Sequence, residues 1–406
     1  MGLQDSTSGN LMGSRSEWES GKLHSKQGRK GLSELVLAAV FLVVGFGVGP
    51  QLERLANEEV PEWVGQMVGG FGVLGGLIGL IAIWRIAVRL RFGAPVLELG
   101  ATPLVRGQVA GVKLRIPRRV RLESILRARL SVCEMTTLKG PRGQRTRSEK
   151  IRFQSARYVR ADGFRLEPEE TVLEFELPIP TGYPDASPAR IGDRFIWRLQ
   201  LTAVTSGPDF SAEYELPVFG QVAEGEEEQL RDSGDQPTAR ELLELARFRV
   251  VETAGGLEAI QPLMPSPAMS STLAVMNGVV WGGVFLARAA GAHLIFPLAM
   301  GLVGALLLLG WINSVFGRAR LSVRHGELGV VNGLPGLGLR GSFDREALEA
   351  MRIAPGDRTG SARLFHLAVA EEAPTLGGRR VVAALPDEST AEALREELRD
   401  ALSRAA

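Results

Sequence analysis

The strictest constraint in this chain is an alternation of apolar and polar residues that runs twice through residues 195–218. Phe195, Trp197, Leu199, Leu201 and Ala203 alternate with Arg198, Gln200 and Thr202. After Ser206-Gly207-Pro208-Asp209, the residues Phe210, Ala212, Tyr214, Leu216 and Val218 alternate with Ser211, Glu213 and Glu215. A period of two sends successive side chains to opposite faces, so each run is a half-buried strand. The Gly-Pro step between them is turn chemistry, and the pair reads as a β-hairpin.

Shorter runs of the same kind fill residues 93–220, at 96–99, 109–116, 126–133, 158–159 and 172–177, between Gly, Pro and charged turns. No stretch of helical period interrupts them. This spacing predicts an all-β sandwich.

Strongly apolar segments flank that region. Residues 35–48 form one run. Residues 64–84 form a longer one, with Trp63 and Trp84 at its ends and Arg85, Arg89 and Arg91 just beyond. Residues 273–287 and 294–316 form another pair, separated only by 288–293. Length, interfacial tryptophans and flanking arginines read as two transmembrane hairpins, with spans near 33–50, 64–84, 272–287 and 294–316. A secretory signal is the rival reading of the first run, but a long tail precedes it and no small-x-small cleavage site follows. The expected fold class is therefore membrane α-helical, four spans as two hairpins, with a soluble all-β sandwich and a small C-terminal α+β domain. Basic flanks put both termini and both soluble domains on the cytoplasmic side of a bacterial inner membrane.

Glycines recur at one-turn spacing in these runs: Gly72 with Gly76, Gly75 with Gly79, Gly45 with Gly49, and Gly278 with Gly282. Small residues so spaced let helices approach closely, within the chain or between two copies. Asn277 is the most polar group in the third run, where an interhelical hydrogen bond is its simplest role and a transport pathway the sharper one.

The remaining segments divide by composition. Residues 1–30 are polar with a basic end, and read as a disordered tail. Residues 221–270 read as an acidic linker with a short helix and strand. Residues 318–406 read as a small α+β domain, closed by an amphipathic helix behind the capping box Ser389-Thr390-Ala391-Glu392. Strands followed by such a helix are similar in order to a pleckstrin-homology-like barrel, a likeness of pattern that carries no ligand.

The net charge of +1 conceals an asymmetry inside the β region. Residues 106–165 are rich in Lys and Arg against Glu123, Glu134, Glu149 and Asp162, whereas 166–235 are acidic. Cross-strand pairing accounts for this economically. A basic surface for anionic lipid headgroups or a protein partner is the functional alternative, centred on Lys139, Arg142, Arg145, Arg147, Lys150 and Arg152. No aromatic-interleaved motif accompanies these cations, so nucleic acid is not expected.

Recognisable catalytic chemistry is missing. Cys133 is the single cysteine, and His24, His293, His325 and His366 lie far apart. No G-x-x-x-x-G-K-[ST], H-E-x-x-H or G-x-S-x-G occurs, and the Gly333–Gly341 cluster lacks the strand–turn–helix setting of a phosphate loop. Arg127 and Arg129 share the face of Cys133 but no His is near it in sequence, so an inert thiol is expected. No catalytic residue, metal or cofactor is expected.

From Trp197-Arg-Leu-Gln-Leu-Thr-Ala203 through Gly207-Pro-Asp-Phe-Ser-Ala-Glu-Tyr-Glu-Leu-Pro-Val218, the chain resembles the closing strands of arrestin-like sandwiches. It also resembles uncharacterised bacterial multi-span membrane proteins that hold an arrestin-like or Ig-like sandwich between two transmembrane hairpins. The resemblance implies a binding or scaffolding module and carries over no catalytic residue. The expectation is a non-enzymatic integral membrane protein whose cytoplasmic domains bind a protein partner, or each other as a homo-oligomer, at the bilayer surface. An accessory subunit of a transporter or channel, and an envelope or lipid sensor, are the alternatives.

Overall fold

A computed structural model describes residues 16–25, 39, 82, 86–120, 125–139, 145–160, 164–187, 193–205, 209–222, 237–253, 256–262, 276–278, 280–281, 284, 295–334, 339–359, 362–370 and 379–405. The chain divides into two compact units, one built mainly from 88–245 with the N-terminal residues, the other mainly from 246–354 and 365–406.

The first unit contains helix α1 (Ser16–Glu19) and strands β1 (Lys22–His24), β2 (Val96–Leu99), β3 (Leu104–Arg106), β4 (Val109–Ile116), β5 (Ile125–Lys139), β6 (Arg145–Arg160), β7 (Phe164–Leu166), β8 (Thr171–Pro178), β9 (Arg194–Ala203), β10 (Phe210–Leu216) and β11 (Val218–Gln221), followed by helix α2 (Ala239–Leu245). One antiparallel sheet has the order β1-β2-β4-β8-β7, the other β10-β9-β5-β6, and β11 pairs with β3 in parallel. Both larger sheets send residues into one core, with Leu97, Leu114 and Leu173 from the first and Leu130, Trp197 and Tyr214 from the second. Two sheets closed over one apolar layer make a β-sandwich. In the hairpin at 194–216, Trp197 lies opposite Leu216 and Ala203 opposite Phe210, so the alternate apolar residues share the inner face.

The N-terminal residues correct one expectation. Residues 16–24 are part of this unit: β1 pairs with β2, and Trp18 and Leu23 are each only 2% exposed. Trp18 meets Phe219 edge-on, with ring centroids 5.7 Å apart. A polar segment that is too sparse to fold alone can still dock two apolar side chains into a core made elsewhere. At the other end, Thr238 and Glu241 cap α2 reciprocally: Thr238 N–H donates to Glu241 Oε2 at 2.7 Å, and Glu241 N–H donates to Thr238 Oγ1 at 3.3 Å. The helix stops at Leu245.

The second unit begins inside the expected linker. Strands β12 (Arg249–Thr253), β13 (Gly256–Pro262), β14 (Arg318–Arg324), β15 (Glu327–Gly333) and β16 (Leu339–Phe343) form an antiparallel sheet in that order, with helix α3 (Ile295–Phe316) between β13 and β14 in sequence. Helix α4 (Arg345–Glu349), strands β17 (Arg352–Thr359), β18 (Ala362–Ala370) and β19 (Arg379–Leu385), and helix α5 (Glu388–Ala405) complete the chain. α5 packs against β13 and β14 and buries Leu394, Leu398 and Leu402. Its cap is Asp387, whose Oδ1 accepts from the Thr390 N–H at 2.8 Å and from its hydroxyl at 2.7 Å. The expected Ser389-to-Glu392 box lies inside the first turn instead, because the helix starts at Glu388.

The expected membrane architecture is overturned. Among the described residues no helix is long and apolar enough to cross a membrane. The spans drawn at 33–50, 64–84 and 272–287 fall almost wholly outside the described residues. α3 is a helix of 22 residues, Ile295–Phe316. Hydropathy counts apolar residues without showing what they contact. Part of this helix packs on protein: Gly304 lies against Trp281 and Val280, so closely that a Cβ would come within 2.9 Å of the indole. Leu302, Leu306 and Leu309 are exposed. The described fold is β-rich, and the integral-membrane assignment, the inner-membrane location and the cytoplasmic placement of the domains lose their basis.

The packing glycines fare similarly. Gly72, Gly75, Gly76, Gly79 and Gly282 lie outside the described residues, and Gly278 is exposed. The close helix contact among the described residues is made by Gly304.

Candidate functional site

β5 and β6 are the longest strands of the sandwich, 15 and 16 residues, and they pair along their whole length. β9 covers β5 only from Leu126 to Met135. Beyond that point Thr136–Lys139 pair with Arg145–Ser148 and, among the described ladders, with nothing else. The two strands thus leave the sheet as a two-stranded arm.

The register distributes the expected basic residues unevenly. Lys139 stands opposite Arg145 and Thr137 opposite Arg147, so Lys139, Arg145 and Arg147 occupy positions on one face of the arm. Like charges directly opposite one another destabilise a ladder unless a counter-charge is supplied. Lys150 and Arg152 lie lower on β6, near Glu134. Lys150 is exposed and opposite Glu134, while Arg152 forms an ion pair with Glu134 at 2.6 Å. Arg142 lies outside the described residues.

Elsewhere in the sandwich the basic and acidic halves neutralise each other. Lys113 meets Glu174 at 2.8 Å, and Arg115 meets both Glu170 at 2.7 Å and Glu98 at 3.0 Å. Burial pushes the Glu98 carboxyl up, but the hydrogen bond and charge of Arg115 outweigh it and hold the group below its ordinary value. On the outer face of the second sheet, Arg198 bridges Glu149 of β6 at 2.9 Å and Glu213 of β10 at 3.1 Å. Burial pulls the guanidinium down, while Glu213, Cys133 and Glu149 together raise it above its ordinary value. Arg198 lies beside Cys133, with Nη1 3.9 Å from Sγ. Cys133 is completely buried beside Ile151 and Ile196, out of reach of a substrate.

A second feature lies on the inner side of the same ribbon. Phe153, Ser155, Arg157 and Val159 of β6 stand opposite Val132, Leu130, Ala128 and Leu126, all core residues, so strand alternation places Arg157 on the core-facing side. The sandwich is open there to a cavity of about 410 Å³ between β5–β6 and the end of β8. Arg157 lines it, and its buried Nη1 has no hydrogen-bond partner among the described residues. Sequence reading recognised only residues 158–159 of this strand and missed Arg157. The alternation of Phe153, Ser155, Arg157 and Val159 was the available signal, diluted by the charges between.

Among the described residues no group of three His, Cys, Asp or Glu side chains is gathered to hold a metal ion.

Comparison with known proteins adds little to this geometry. No family model matches the chain, and no curated protein matches it. Among solved structures, the chain is similar to Spo0M, a sporulation control protein from Bacillus subtilis, at 10% identity over 63% of this chain and 91% of that one, with a TM-score of 0.22. A likeness at that score decides nothing here. The sandwich rests on its own strand order and shared core.

Proposed function

We propose that this protein is a non-catalytic binding module, and that its β5–β6 arm docks an acidic surface of a protein partner. The observation that carries this reading is the like-charged pair Lys139–Arg145, with Arg147 on the same face, on strands that have left the sheet. Arg106, Lys113, Arg115, Arg152 and Arg198 meet carboxylates within the sandwich, and Asp193 accepts from the Thr137 N–H at the base of the arm, so an acidic partner would add counter-charge beside the like-charged ladder positions above it. The resemblance of residues 197–218 to the closing strands of arrestin-like sandwiches fits the reading, since it implies a binding or scaffolding module.

The test is a triple substitution, Lys139→Glu, Arg145→Glu and Arg147→Glu, made in the full chain. A labelled glutamate-rich peptide, followed by fluorescence anisotropy, should bind wild type more weakly as salt rises and should lose binding to the variant. Equal binding by both would reject the arm as the docking surface. Binding of anionic vesicles but not of the peptide would move the assignment to lipid headgroups.

A further inference from the structure

We propose that the inter-sheet cavity beside Arg157 is a binding site for a small apolar monocarboxylic acid. The site is separate from the arm, and the inference does not depend on the acidic-partner reading.

The cavity combines apolar walls with polar groups from Gln108, Ser155, Arg157, Thr181 and Tyr183. Ala128, Leu130 and Leu177 line its inner surface, and Phe153 and Tyr183 form an aromatic side with ring centroids 5.0 Å apart. Among the described lining residues Arg157 is the only charged one, and none is a carboxylate. Its Nη1 is shielded from solvent and without an acceptor among the described residues. A buried donor left unpaired is destabilising, and it is tolerated where a bound group supplies the acceptor. A carboxylate is the acceptor that suits a guanidinium best, in both charge and fork geometry. The apolar remainder of the ligand then lies against the aromatic and leucine side chains.

The walls are set before any ligand arrives. Residues 179–185 are tied down at several points. Gly107 N–H donates to the Ile179 carbonyl at 2.7 Å, and Ile179 N–H donates to that of Gln108 at 3.0 Å. The Trp197 indole N–H donates to the Pro184 carbonyl at 2.9 Å, and Arg106 pairs with Asp185 at 2.8 Å while also donating to the Tyr183 carbonyl. Tyr183 also meets Trp197 edge-on, at 6.3 Å between centroids. Little ordering remains to oppose binding, so even a small ligand can be held.

The experiment is isothermal titration calorimetry of the full chain with octanoate, and with octanol as the uncharged match. Octanoate should bind saturably at one site. Replacing it by octanol, or Arg157 by Met, should weaken binding by roughly 10- to 100-fold, the range for a charge-assisted hydrogen bond. Arg157→Lys should retain part of the affinity. Arg157→Met should also melt no lower than wild type in the absence of ligand, because it removes an unpaired donor. Ser155→Trp, which fills the cavity from the facing side of β6, should abolish binding of both ligands. Octanol binding as tightly as octanoate, undiminished affinity in Arg157→Met, undiminished affinity in Ser155→Trp, or no saturable octanoate heat up to millimolar concentration would each overturn the proposal.

Discussion

In each unit two strands that pair side by side are separated in sequence by a long, largely apolar stretch, and the two joins differ sharply. In the first unit β1 and β2, on either side of residues 25–95, share three residue pairs, from Lys22 with Glu98 to His24 with Val96. In the second, β13 and β14, on either side of 263–317, share seven, from Gly256 with Arg324 to Pro262 with Arg318. β1 is an edge strand, whereas β14 sits between β13 and β15 inside its sheet. Loop-closure entropy rises only slowly with length, about 0.6 kcal/mol per doubling, so the insertions themselves do not separate the two cases. What separates them is how each join is held. Three ladder pairs at an edge need a side-chain anchor, which Trp18 supplies; seven pairs inside a sheet are held by the ladder and by α5 packed over it.

This contrast is open to direct tests. The largest effect is expected at the anchor. Trp18→Ala should cost the sandwich about 3–5 kcal/mol, seen as a lowered calorimetric transition, with residues 16–24 losing protection from hydrogen exchange first. A loss below about 1 kcal/mol would mean that the short ladder holds unaided. In the second unit Leu321, fully buried on β14, is the counterpart, and Leu321→Ala should cost about 2–5 kcal/mol there. The sandwich transition should stay in place, and a shift in it would show that the units do not melt separately.

A smaller effect belongs to the helix that covers the second join. Asp387→Ala removes the cap of α5 and should cost about 0.5–2 kcal/mol, measured by denaturant titration. Acid should sharpen the contrast further. Glu98 of β2 bridges Arg115 of β4 and Lys22 of β1, the latter at 3.5 Å. Its carboxyl is more acidic folded than unfolded, so the native state binds fewer protons. The stability it contributes is present above the ordinary carboxylate range and is lost as pH falls through the depressed native value. Wild-type sandwich should therefore lose melting temperature on acidification more steeply than Glu98→Gln; parallel curves would remove Glu98 from the join. Smallest of all is Tyr214→Phe. The Tyr214 hydroxyl is buried without a partner among the described residues, and burial pushes the phenol well above its ordinary pKa. Deleting it should leave stability unchanged or raise it by up to about 1 kcal/mol, whereas a clear loss would reveal a hidden partner.

The sandwich was legible wherever alternation was clean. Residues 195–218 announced two strands, their shared face and the turn between them, and β9 and β10 pair in that register. β5 and β6 were read as fragments because basic residues occupy both of their faces near the arm, and period-two contrast vanishes when neither side is apolar. β1 and β13 escaped notice for a different reason. Each is short or polar, and each is recruited by a partner that lies a whole insertion away in sequence. The apolar insertions were over-read, because a run of Leu, Val and Gly has the same hydropathy whether its neighbours are lipid or protein. The basic cluster was visible as composition. Which of its members stand together on the arm, and that Arg157 turns inward instead, follows from pairing register alone.

The sequence by itself determined the β character of residues 93–220, the hairpin at their end, the amphipathic C-terminal helix and the want of a recognisable catalytic motif. These are consequences of local period and residue type. Only the tertiary structure decided that residues 16–24 and 249–262 complete sheets begun elsewhere. The same is true of the like-charged register positions 139, 145 and 147 on the arm and of the Arg157 guanidinium at the inter-sheet cavity. Those outcomes depend on which strands meet and in what register, and that choice is made by burial across distant segments, which no local window contains.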